Sequence, residues 1–257
     1  MVFLCSKGEK DMKYKLDIQF FGGRGQTWMT PGGRGGRASM NFAPSTATYL
    51  QFPELRDALG KKGTPINLFD AADGANPFYD ESHRQEPYNI NCQRCVVAYE
   101  RRRRGYDVVA QPNPNDKWAS VKYDQNSKKY YALWKGAFRH AKTDNVLGNS
   151  LNKTIDNAIA KMKEYGNGSR AVIEFLRDPR GGHVINVENR NGKILFVEAQ
   201  TTADSKGGHI YSRKELAFQM GDRTPRHAAL TRTDNLQISY RSGQFVDQKK
   251  RIRGQQQ

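Results

Sequence analysis

Residues 170–201 constrain the fold more than any other stretch of the chain. "RAVIEFLR", "HVINVEN" and "KILFVEAQT" are three apolar runs of strand length, and Asn189-Arg190-Asn191-Gly192 joins the last two. Such runs bounded by turn residues predict strands over 170–177, 183–189 and 193–201, the last two forming a hairpin. Immediately before them, "LNKTIDNAIAKMKEYGNG" (151–168) spaces Leu151, Ile155, Ala158, Ile159 and Met162 as one face of a helix and closes at Gly166. A helix feeding an antiparallel set of strands places the chain in the α+β class.

A second helix is predicted from Cys92 to Arg104. Cys92, Cys95, Val96 and Tyr99 follow i, i+3, i+4, i+7, with Asn91 as N-cap and Gly105 as stop, which predicts one buried face. "YDVVAQP" (106–112) reads as a strand leaving it. "FPELRDALGKKGTPINLFDAADGANPFYD" (52–80) reads as two short helical pieces, and "HAALTRTDNLQIS" (227–239) as an edge strand. Residues 113–149, polar with scattered aromatics, give no assignment, and there is no internal repeat.

Charge and cysteine content narrow the function classes. The formal net charge is +16, from 42 Lys and Arg against 26 Asp and Glu, which suits a nucleic-acid-rich setting or a solvated basic surface. Cys5, Cys92 and Cys95 are too few for a disulfide framework and point to a reducing compartment. No apolar run is long enough to span a membrane, so no membrane partner is expected, and the opening residues lack the apolar core of a Sec signal. "GGRGQTWMTPGGRGGR" (22–37) cannot bury enough apolar surface to order itself and reads as a flexible basic linker. Arg101 to Arg104 sit where a helix dipole favours cations, with recognition of an acidic target or nucleic acid as the other reading.

The cysteine pair carries the chemistry. A thiol in the first turn of a helix is acidified by the dipole and the free amides, so Cys92 is the expected nucleophile and Cys95 its packed neighbour. The reverse assignment stays open, because a cysteine protease can place its nucleophile second in such a pair. A structural zinc needs four ligands, and no second C-x-x-C or spaced histidine pair is present, so no metal is expected. A thioredoxin-like dithiol would follow a strand, whereas "EPYNIN" is polar.

A base is then needed among His83, His140, His183, His209 and His227. His183 stands out at the mouth of the hairpin after Gly181-Gly182. A four-residue loop sets His183 opposite Glu198, and a two-residue turn at Asn191-Gly192 sets it opposite Gln200. Either register keeps His183 and Glu198 on one face. Cysteine on a helix, then histidine, then an acidic residue on the next strand is the chain order of papain-type enzymes.

"NCQRCVVAYERRRRGYDVVAQP", "YGNGSRAVIEF", "GGHVINVENRNGKILFVEAQT" and "TRTDNLQI", with "ANPFY" ahead of them, resemble the papain-like fold toxin family, the glutamine deamidase type found in polymorphic toxins and bacteriophage minor head proteins. The resemblance covers roughly residues 57–240 and implies a papain-like fold with a Cys-His-acid triad at Cys92, His183 and Glu198, without cofactor. Glu198 stands where the family usually has Asp, in a segment that typically reads Asp-Pro-Gln and here reads Glu-Ala-Gln. Gln200 matches the family glutamine, Asn91 and Cys95 are possible accessory residues, and Asp234 and Asn235 are candidates to join the site. "KYKLDIQFFGGRG" is similar to the N-terminal stretch of many phage virion proteins.

The expected organisation is a phage-type docking segment (1–21), a Gly/Arg-rich linker (22–45), a helical lead-in (46–75), the papain-like cysteine-enzyme domain (76–240) and a basic disordered tail (241–257). The expected function is deamidation of a glutamine on a target protein. Possible further partners are phage capsid or portal proteins and nucleic acid, with the chain on a virion or delivered to a host cytoplasm. A peptidase or deubiquitinase with the same triad, and a structural virion protein of papain-like fold, are the competing readings.

Overall fold

The sheet that the strand runs require is continuous, antiparallel and covered on both faces. In the computed structural model, residues 42–80, 87–113, 122–124, 129–177, 181–200 and 208–249 are described, those at 122–124 and 129–131 by their backbone alone. All of them belong to one unit, Gly36–Gln257. The expected docking segment, nearly all of the linker, Cys5, His83 and residues 250–257 lie outside the described residues.

The elements in chain order are α1 (Thr46–Gln51), α2 (Pro53–Leu59), α3 (Leu68–Asp73), α4 (Cys92–Arg103), β1 (Val108–Ala110), β2 (Lys122–Asp124), β3 (Lys129–Tyr131), a 3-10 helix (Leu133–Ala137) and β4 (Asp144–Asn145). There follow α5 (Leu151–Tyr165), β5 (Arg170–Arg177), β6 (Gly181–Arg190), β7 (Lys193–Glu198), β8 (His209–Tyr211), α6 (Arg213–Gln219), β9 (His227–Arg232), a second 3-10 helix (Tyr240–Gln244) and β10 (Val246–Gln248). Six strands form the main sheet in the order β4-β9-β5-β6-β7-β8, and β1-β10 and β2-β3 are separate ribbons.

Alternation along the strands explains both covers. Ile173, Phe175, Ile185 and Val187 meet Ile155, Ala158 and Met162 of α5 and Leu216 of α6. Val172, Val184 and Val197 point the other way, into a second core with Cys95, Val96 and Tyr99 of α4 and Leu55, Leu59 and Leu68 of α2 and α3. With both faces buried, the strands read as unbroken apolar runs rather than polar-apolar repeats.

Three expectations need correction. β9 is not an edge strand: it pairs with β5 on one side and with the two-residue β4 on the other. Residues 241–249 are not a disordered tail. Phe245 and Val246 are buried in the α4 core and β10 pairs with β1, because apolar residues sit between the basic ones. The lead-in helices likewise contribute core residues, so the hydrophobic core extends on both sides of 76–240.

The third correction concerns α4, which is buried on every side from Cys92 to Arg102 rather than on one face. It runs between the sheet and the layer made by α2, α3 and the β1-β10 ribbon, and a helix so placed must satisfy each polar side chain internally. Glu100 accepts from Arg104 Nε at 2.7 Å and from Arg170 Nε at 2.8 Å. Arg101 donates to Ser242 Oγ and to the Ala137 carbonyl. Arg102 reaches Asp107 and the Asp70 and Val108 carbonyls, Arg103 holds Glu188, and Arg104 reaches the Phe42, Thr233 and Leu236 carbonyls. The Arg101–Arg104 run therefore rivets the core and presents no basic face from this helix to a polyanion. Gly105 stops the helix at φ 97°, with its carbonyl accepting from Gly63 N at 2.7 Å.

Candidate active site

The hairpin turn decides what stands beside His183. Asn191 and Gly192 both have positive φ, 53° and 84°, as a type I′ two-residue turn requires, and Arg190 pairs with Lys193. That register carries Asn186 opposite Val197, so by continuation His183 faces Gln200 and Glu198 lies on the diagonal. The diagonal suffices. His183 Nε2 and Glu198 Oε2 are 2.7 Å apart. Diagonal neighbours lie farther apart than direct pairs, and the extra methylene of glutamate supplies the reach.

Cys92 opens α4, and its side chain hydrogen-bonds His183. With Nε2 engaged by Glu198, Nδ1 is the nitrogen left for the sulfur. All three side chains are nearly closed off, with Cys92 5%, His183 9% and Glu198 2% exposed. Burial alone would pull the imidazolium down. The Glu198 charge and the Cys92 sulfur outweigh it and lift His183 from 6.5 to about 10. Burial pushes the Glu198 carboxyl up, but His183, the Gln200 amide and the Tyr211 hydroxyl outweigh it and hold the carboxyl below its ordinary range. Cys95 lies one turn deeper, 1% exposed, and burial, then Glu198 and Cys92, drive its thiol well above the ordinary value. Of the two thiols, the one at the helix start is the one against the imidazole.

Gln200 links the acidic residue to the nucleophile's loop. Its backbone N–H donates to Glu198 Oε1 at 2.9 Å, its Oε1 accepts from Asn91 N at 2.9 Å, and its Nε2 donates to the Asn89 carbonyl at 2.8 Å. Asn91 holds the N-cap position, with its carbonyl accepting from Arg94 N and Cys95 N, but its side chain makes no capping bond and donates instead to the Gln111 carbonyl. Asn76, in the "ANPFY" stretch, was not singled out from sequence. Its Nδ2 donates to the carbonyls of Tyr88 and Gln200. Tyr211 was missed altogether; its hydroxyl donates to Glu198 Oε2 at 3.0 Å.

The remaining candidates lie elsewhere. His209 pairs with Glu215, and His227 with Glu174. His140 is exposed at a turn with φ 56°. Asp234 does not join the site: it is buried against the Arg170 amide and the Arg232 guanidinium. Among the described residues, no group of three or more His, Cys, Asp or Glu side chains is placed to hold a metal ion, and no helix is long and apolar enough to cross a membrane.

Comparison with known proteins bears on this same stretch. Residues 90–203 match the family model described as papain fold toxin 1, glutamine deamidase. Searches of curated proteins and of solved structures gave no significant match. The matched span begins two residues before Cys92 and contains Cys95, His183, Glu198 and Gln200 as well. The α+β segment 90–203, with a buried helix-borne cysteine packed on an antiparallel sheet, is thus similar to the papain-fold toxin family of glutamine deamidases.

Proposed function

We propose that the chain is a cysteine-dependent effector that converts a glutamine side chain of a target protein to glutamate. The observation that carries the reading is the contact of Cys92 with His183 and of His183 with Glu198, inside the segment that matches the deamidase family. His183 takes the Cys92 proton, and the thiolate attacks the carboxamide carbon. Collapse of the tetrahedral adduct expels ammonia, which leaves with the proton returned by His183. Water activated by the same imidazole then hydrolyses the thioester, leaving a carboxylate on the target and the thiol on Cys92. Glu198 orients the imidazole and stabilises its charged form. Backbone amides at the start of α4 are the expected donors to the oxyanion, because the Gln200 side chain is committed to Asn89 and Asn91. Carriage on a phage or mobile-element virion rests on the similarity of "KYKLDIQFFGGRG" to virion proteins.

Intact-mass spectrometry of candidate targets incubated with the full chain tests the reaction. A gain of about 1 Da, absent with Cys92→Ala, is the expected product signature of amide-to-acid conversion through a cysteine. Target fragments in place of the gain mean peptide cleavage. Neither product from any folded target, with Cys92 no more reactive than an ordinary thiol, rejects the enzymatic reading in favour of a structural role.

A further inference from the structure

Glu198 is the meeting point of three strands. On β6, His183 Nε2 is 2.7 Å from Oε2; on β8, the Tyr211 hydroxyl is 3.0 Å from the same oxygen; and at the end of β7 the Gln200 amide is 2.9 Å from Oε1. In the ladder between β7 and β8, Glu198 pairs with His209 and Phe196 with Tyr211, so the tyrosine also reaches the carboxylate across a diagonal. A glutamate has one more rotatable bond than an aspartate, and that freedom must be removed if its carboxylate is to stay on the imidazole. We propose that Tyr211 is a positioning residue for the proposed triad: its hydroxyl, donated to the carboxylate oxygen that bonds His183, fixes Glu198 in the extended arrangement that spans the diagonal to the histidine.

The surroundings suit that role. Tyr211 is 6% exposed, and as a neutral donor it satisfies the buried carboxylate without discharging it, as an arginine at that place would. Burial and then the Glu198 charge push the phenol well up, so it stays protonated and keeps donating. The other titratable groups facing Tyr211 are His209, whose ring centroid is 5.3 Å away on the same strand, Glu215 of α6 and Arg177 of β5. Besides His183 and Tyr211, Cys95 of α4 faces Glu198, and Cys92 faces His183 on its other side.

This inference rests on the proposed Cys92-His183-Glu198 unit, and its test reads Cys92 itself rather than turnover of a target. Iodoacetamide labelling of each cysteine is followed by peptide mass spectrometry from acid to alkaline pH in the full chain. The variants are wild type, Tyr211→Phe, Glu198→Ala, the double variant and His183→Ala; Cys95 protection in the same digest reports folding. Tyr211→Phe is expected to slow Cys92 labelling about three- to tenfold near pH 6, a fraction of a charge-assisted hydrogen bond, and to move the rising limb to higher pH. In the Glu198→Ala background the same change should add nothing. An unchanged profile, or an equal loss with and without the Glu198 carboxylate, overturns the proposal. Glu198→Asp is the second variant: it keeps the charge but falls short of the diagonal, so slowing is expected and wild-type labelling counts against the clamp. His183→Ala separates the two levels. No slowing there removes the triad and the clamp together, whereas slowing there with none in Tyr211→Phe removes the clamp alone.

Discussion

The two ends of α4 are equally buried and are built for different ends. At its C-terminal end, Glu100 and four arginines are locked to fixed partners: Glu100 lies between Arg104 and Arg170, Arg103 grips Glu188, and the rest reach backbone carbonyls. At its N-terminal end, three titratable side chains of moderate strength share hydrogen bonds through which a proton can move. In the first region each pair joins a guanidinium to a carboxylate. In the second, the charge of one member depends on the protonation of the next. Buried polar groups all need partners; the partner's acidity decides whether the result is rigidity or reactivity.

Separate failures of the two ends would sharpen this contrast most. His183→Ala should lower deamidation about 10²- to 10⁴-fold, the usual contribution of a general acid-base, with a loss of urea midpoint smaller than that of Glu100→Ala because Tyr211 and the Gln200 amide still bond the Glu198 carboxylate. Loss of the midpoint in step with activity would collapse the distinction. Glu100→Ala should do the reverse. It strands Arg104 and Arg170 in the core and should cost about 3–5 kcal/mol in urea unfolding, as broken buried pairs do. The folded fraction should still label at Cys92. A small stability loss, or a folded protein with an inert Cys92, would mean that the ends are not independent.

Stability against pH tests the same contrast more gently. His183 is raised from 6.5 to about 10, so its contribution is complete below about pH 6.5 and drains away as pH rises toward 10. Glu198 is depressed, so its contribution is complete above its ordinary 4.5 and is lost as pH falls. Urea midpoints should therefore decline between neutral and alkaline pH in the wild type, and the slope should flatten in His183→Ala. Glu100, also depressed because Arg170 and Arg104 outweigh the cost of its burial, adds only to the acid side. An alkaline slope that survives His183→Ala would show that another group produces it.

What the sequence made legible follows from how local each feature is. The helix at 151–165 and strands β5 to β7 carry their periodicity in consecutive residues, and period two alone put His183 and Glu198 on one face. The fuller character of α4 was hidden because its partners are remote: Arg101 reaches Ser242 and Ala137, Arg104 reaches Thr233 and Leu236, and no local pattern announces a helix buried among its own counter-charges. Tyr211 escaped for a related reason, since a three-residue strand is too short to show alternation. β9 read as an edge because the β4 that covers it is only Asp144–Asn145.

The smallest effect lies in the turn that sets the register, and it separates local cost from consequence. Gly192 sits at φ 84° with nothing near the place a Cβ would occupy, so Gly192→Ala meets backbone strain and no clash. A destabilisation of about 1 kcal/mol is expected in urea unfolding. The register has further support, because Gly192 N also donates to Asn189 Oδ1 and Asn167 bonds Asn191 from the neighbouring turn. The strained turn should therefore hold its two-residue form, and Cys92 labelling at pH 6 should match the wild type. If labelling falls while the fold persists, the hairpin has slipped toward the four-residue loop, in which His183 faces Glu198 directly, and the diagonal that Glu198 spans depends on this one glycine.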